Sequence, residues 1–110
     1  MAETHLENLR QEIAVFLKRI EAEEAILFGS RACGEELSTS DVDLIVISQK
    51  FFGQPFPERM VALHRDWRLP MFLEALPYTP DELMELAKSR GVVAEALKSG
   101  IRIYPGNRAA

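Results

Sequence analysis

The chain has one cysteine, Cys33, one tryptophan and two histidines among its 110 residues. One thiol cannot close an internal disulfide, and no Cys/His spacing of a zinc site is present. A disulfide framework and a zinc knuckle are therefore both excluded, and the expected setting is reducing and cytoplasmic. Long apolar runs are missing as well. None approaches the roughly 20 residues of a membrane span, and the opening MAETHLENLR is polar, without the apolar stretch of a secretory signal. Positive charge is scarce: 13 Lys and Arg stand against 17 Asp and Glu, a net charge of -4. That balance argues against a protein that grips nucleic-acid backbone, which needs clustered cations. It leaves room for a small polyanion such as ATP, to which bound metal brings the positive charge.

What is present is ordinary for a folded domain: 47% hydrophobic and 27% charged residues, in a length that allows one core. Leu6, Leu9, Ile13, Phe16, Leu17 and Ile20 recur at helical spacing and predict an amphipathic first helix. Residues 25–28 are an apolar run closed by Gly29, which reads as a buried strand. Residues 29–40 are rich in Gly, Ser, Thr and charge and read as a loop. Residues 42–47 are the next strand. Two prolines, a glycine and three phenylalanines make residues 51–57 a connector, and Pro57 suits the first turn of a second helix. Residues 69–78 read as a third strand. Thr79, Pro80 and Glu82 form a capping-box start for a helix to about residue 90. A last helix over 92–99 stops at Gly100, residues 101–104 form a small strand, and 105–110 are expected to be a loose tail. The expected fold is α/β in the broad sense (α+β): one domain over residues 1–110, a small mixed sheet flanked by helices.

The chemistry concentrates between Gly29 and Asp43. Asp41 and Asp43 are two apart at the start of an apolar strand, so they point to one face. Two carboxylates side by side repel each other, and a strand start does not need them. A hard cation makes the pair favourable, since two carboxylates plus substrate phosphates are the usual magnesium arrangement. Gly29 and Ser30 follow the preceding strand. Glycine lets backbone approach a ligand closely, and free amides at a helix start attract anions. The bland alternatives are a solvated loop end for the aspartates and a plain turn for Gly29 and Ser30. Their joint position at adjacent strand ends favours a site for a metal-bound triphosphate.

Gly29 and Ser30, ten residues, then Asp41, Val42 and Asp43 resemble the signature of the DNA-polymerase-beta-type nucleotidyltransferase superfamily. Arg31, Gly34 and Ser40 resemble its usual loop. The short length is similar to the minimal nucleotidyltransferase branch, whose members are commonly antitoxin partners of HEPN-domain proteins. The resemblance implies the nucleotidyltransferase fold, two Mg2+ ions held by Asp41, Asp43 and a third carboxylate from a later strand, and ATP as substrate. Glu74 lies alone in the apolar run 71–76, where a charge is expensive unless paired or metal-bound, and is placed as that third carboxylate. Its bland reading is an edge-strand carboxylate facing water. The resemblance further implies AMP transfer to a hydroxyl of a HEPN partner, in a homo- or hetero-oligomer. The alternatives are a non-catalytic nucleotide-binding module and transfer to a small molecule or RNA end.

Gly29, Ser30, Arg31 and Ser40 make up the expected nucleotide-binding set. Arg31 could equally form a surface ion pair, and Ser40 reads as a turn former rather than a nucleophile. Cys33 reads as chemically inert. His5 and His64 stand alone and read as structural or surface residues. Phe51, Phe52 and Phe56 are expected to pack over the core more than to dock a partner. Arg59, Arg65 and Arg68 are expected on a solvated helix face.

Overall fold

The computed structural model describes residues 5–29 and 41–107. Helix α1 (His5–Ile20) leads into strands β1 (Glu24–Phe28) and β2 (Val42–Ile47). A 3₁₀ turn (Gln49–Phe51) and helix α2 (Phe56–Asp66) then carry the chain to strand β3 (Leu73–Tyr78). Helices α3 (Pro80–Ala87) and α4 (Val92–Ser99) and a short strand β4 (Ile101–Ile103) complete it. The strands form one mixed sheet in the order β3-β2-β1-β4. β1 is antiparallel to both neighbours, and β2 and β3 are parallel. A parallel pair needs a crossover, which α2 supplies.

Strand alternation divides the core in two. Ala25, Leu27, Val42, Leu44, Val46, Leu73 and Ala75 pack against Ile13, Phe16 and Leu17 of α1 and Leu63 of α2. Ile26, Ile45 and Ile47, with Leu76 and Tyr78, pack against Leu83 and Leu86 of α3 and Val93 and Ala96 of α4. With both faces covered, the central strands need apolar residues at nearly every position, which is why they read as unbroken runs rather than alternating ones. Asp43 breaks that rule in β2: it falls on the α3/α4 face at the strand's beginning. No helix among the described residues is long and apolar enough to cross a membrane.

Three details differ from the sequence expectation. β3 begins at Leu73, not at 69, because the preceding segment is held as a loop from α2. Trp67 Nε1 donates to the Met71 carbonyl at 2.8 Å, and His64 Nε2 lies 2.9 Å from the Leu73 carbonyl. The Trp67 ring stands edge-on to Phe16, centroids 5.0 Å apart. The tail expected to be loose is tied to α1 as far as Asn107, by Gly106 N–H to the Ala14 carbonyl and Lys18 Nζ to Asn107 Oδ1. The three phenylalanines divide: Phe51 is buried, whereas Phe52 and Phe56 are exposed.

The largest correction is Arg59. Expected on a solvated face, it is only 6% exposed. Its Nε donates to the Gln54 carbonyl at 2.9 Å and one terminal nitrogen to the Pro77 carbonyl at 3.1 Å. The guanidinium also forks onto the Glu82 carboxylate at 2.6 and 3.0 Å. Glu82 in turn completes the capping box of α3 with Thr79. One buried cation thus joins α2, the end of β3 and the start of α3. β3 is an edge strand, and Val42 and Ser48 bond Phe72 and Tyr78 across the β2 side. Leu73 and Pro77 therefore turn outward, where His64 and Arg59 cover their carbonyls. Pro77 has no N–H to offer a further strand.

Candidate active site

Three acidic side chains meet at one end of the sheet. The register sets Asp43 of β2 directly between Phe28 of β1 and Glu74 of β3. Asp41, two residues before Asp43, is half-buried at the strand's beginning, and its carboxyl shares a hydrogen bond with that of Glu74. Two carboxyls share such a bond only when one carries a proton. The Glu74 carboxyl is accordingly held above its ordinary range, first by the bond to Asp41, then by the charge of Asp43. Burial raises Asp43 as well, with the charge of Asp41 adding to it. Nothing cationic among the described residues neutralises the cluster. The ion pairs among the described residues lie elsewhere, as at Lys50 with Glu21 and Arg102 with Glu24.

Gly29 closes the site from the β1 side. Its φ of +80° lies in the left-handed region, which side chains with a Cβ avoid. A Cβ placed there would also run into Oδ2 of Asp43. Glycine is thus required twice, for the turn and for the space beside the carboxylate. Beyond Gly29 an open cleft of about 900 Å³ runs from Phe28 along α4.

The donor chemistry fits a hard divalent cation: every group at the cluster is a carboxylate oxygen, and the space next to Asp43 is kept clear by Gly29. The cluster is not drawn up as a closed cage. Among the described residues no group of three or more Asp, Glu, His or Cys side chains is arranged to hold a metal ion. Backbone register makes Asp43 and Glu74 neighbours, and side-chain rotation is left to bring the oxygens onto a common point.

Of the residues singled out from sequence, the structure brings together Asp41, Asp43, Glu74 and Gly29. Ser30, Arg31, Cys33 and Ser40 lie outside the described residues. Sequence reading missed the cleft along α4 altogether, because nothing local in residues 89–99 marks them as neighbours of Gly29.

This arrangement, a small mixed sheet with paired acidic residues opening β2 and a glycine turn after β1, defines the nucleotidyltransferase fold. The nucleotidyltransferase domain model matches residues 7–103. The chain belongs to that family. In fold it is similar to the crystal structure of a protein from Sulfolobus solfataricus provisionally described as a nucleotidyltransferase. The two are 21% identical and superpose over 77% of this chain and 84% of that one, with a TM-score of 0.52. Among curated proteins none matches the chain.

The requirement for glycine is testable. Gly29→Ala is expected to cost about 1–2 kcal/mol from the left-handed backbone alone and to displace the Asp43 carboxylate. Thermal melting with and without magnesium should then show a lower midpoint and no stabilisation by the ion. An unchanged magnesium response would show that the Asp43 carboxylate had not been disturbed.

Proposed function

We propose that this chain transfers AMP from ATP to a hydroxyl of a partner protein, a HEPN-domain protein, as the antitoxin-side member of the pair. The observation that supports it is the adjacency of Asp43 and Glu74 across β2 and β3, with Asp41 bonded to Glu74 and Gly29 open beside them. Asp41, Asp43 and Glu74 would hold two Mg2+ ions. When bound, these would neutralise the phosphates and lower the pKa of the attacking hydroxyl. Gly29, with Ser30, would seat the phosphate tail, while Arg31 and Ser40 belong to the same loop.

The residues themselves divide the work. Asp43, fixed in mid-sheet between two strands, is the rigid reference for the α-phosphate. Glu74, on the edge strand and exposed, faces the side from which an acceptor can approach, and it accepts the acceptor's proton. The described fold supplies no helical lobe over Glu74, which fits an acceptor delivered by another chain.

The test is incubation of the chain with its co-purified partner, ATP and magnesium, followed by intact-mass and peptide mass spectrometry of the partner. The expected result is one or more AMP-sized additions on a hydroxyl side chain, absent when ATP or magnesium is omitted. A partner bound tightly but unmodified would replace this reading with that of a non-catalytic module. AMP appearing only on a small molecule or RNA end would redirect the acceptor.

A further inference from the structure

The cleft beside Gly29 carries charge that the rest of the described residues do not use. Lys98, in the last turn of α4, and Arg90, just before that helix, both line it and are exposed. Neither makes an ion pair or side-chain hydrogen bond among the described residues, in a chain whose net charge is -4. Glu95 also borders the cleft but pairs with neither. The wall is firmly placed. Gly100 lets the end of α4 lie against β1 so closely that a Cβ would meet Ile26 Cγ2 at 2.6 Å and the Leu27 carbonyl at 3.0 Å.

The order across the sheet gives the cleft a direction. Glu74, Asp43 and Phe28 stand side by side on β3, β2 and β1, Gly29 follows Phe28, and α4 packs on β1. An in-line displacement has the entering and leaving oxygens on opposite sides of phosphorus. With the acceptor on the Glu74 side, the leaving group points across Gly29 toward α4.

We infer that this cleft is the polyphosphate end of the site, where Lys98 and Arg90 take the β- and γ-phosphates and receive them as departing pyrophosphate. The inference rests on the transferase reading above. In the step, the bond from acceptor oxygen to the α-phosphorus forms and the bond from that phosphorus to the bridging oxygen breaks. The electron pair leaves with pyrophosphate, and the hydroxyl proton passes to Glu74 and then to water. Charge grows on the leaving oxygens, which is where a fixed cation has most effect.

Inorganic tripolyphosphate with magnesium, titrated by calorimetry into the full chain, is the probe. The expected result is binding by the wild type and a loss of at least about tenfold in the Arg90→Ala/Lys98→Ala double variant. AMP affinity should change less than about twofold, and Lys98→Arg should retain most of the tripolyphosphate binding. The control is Arg65→Ala/Arg68→Ala, which removes the same charge from exposed positions at α2 and should change little. No binding by the wild type, an equal loss in the control, or an equal loss of AMP affinity would each overturn the assignment. The calorimetric readout is separate from catalysis. Transfer that is intact while tripolyphosphate ignores Lys98 defeats only this inference. Tripolyphosphate held by Lys98 without any transfer defeats only the transferase reading.

Discussion

Asp43→Asn is expected to abolish nucleotidyl transfer, by on the order of 10³-fold or more, while leaving the protein folded and raising its melting midpoint in EDTA. The loss follows from position: Asp43 sits between the strands that carry Gly29 and Glu74, so no neighbouring carboxylate can take its place. Removing one preorganised electrostatic partner of a transition state costs about 10²–10³-fold, and here a metal ligand goes with it. The gain in stability follows from the same charge. Burial and the charge of Asp41 lift the Asp43 carboxyl above its ordinary 3.8. A carboxyl raised in this way binds its proton more tightly in the folded than in the unfolded state. Stability therefore falls as pH rises from the ordinary value through the raised one, and the ionised form is a burden at neutral pH. Asparagine keeps the shape without the charge. Magnesium should reverse the order, stabilising the wild type by mass action and leaving the variant nearly unmoved. Melting curves in EDTA and in magnesium at pH 7, beside a transfer assay, check all three statements. A variant that melts lower than wild type in EDTA would show that Asp43 has a structural role instead.

The second large effect concerns stability. Glu82→Ala should destabilise the fold by about 3–5 kcal/mol, because it strands the buried guanidinium of Arg59 and removes the capping box of α3. Arg59→Met should cost less, about 2–3 kcal/mol, since the Glu82 side chain is 43% exposed and water can replace its partner. The double variant should cost clearly less than the sum, as expected for groups in direct contact. The pair also sets an acid limit. The forked bond from Arg59, and the backbone of Thr79, hold the Glu82 carboxyl down at about 2, against an ordinary 4.5. A carboxyl with a depressed pKa contributes stability that is complete above its unfolded value and is lost as pH falls through the folded one. The wild type should therefore lose this contribution between about pH 4.5 and pH 2, a window that narrows in Arg59→Met, where only the bonds with Thr79 still lower Glu82. Urea unfolding across that range reads it directly. Equal acid slopes in the two proteins would show that the pair does not couple to folding.

Much of the site was legible because its signals are local. Gly29, Asp41 and Asp43 lie within one loop and the strand ends beside it. A glycine after an apolar run marks a turn, and two acids opening another run are more than a strand start requires. Glu74 was legible for a related reason, a lone charge in an apolar run, although only the parallel register shows that its neighbour is Asp43. Arg59 was not legible. Helical spacing sets it one turn before the buried Leu63, but its charge reads as solvated, and what pairs it is Pro77 and Glu82, 18 and 23 residues further on. The division of Phe51 from Phe52 was hidden likewise, since adjacent residues of one composition were separated by which of them faced the sheet.

The sequence by itself determined the strands, the helices with their caps, the mixed α/β class and the four residues that meet at the candidate site, because these depend on patterns a few residues long. Only the tertiary structure decided that β1 runs antiparallel to β2 while β3 runs parallel, that a cation lies buried where α2, β3 and α3 meet, and that α4 lies along β1 to give the glycine turn a basic wall. Those features depend on contacts between residues far apart in the chain, and such contacts are settled by which apolar faces cover one another once both sides of the sheet must be kept from water.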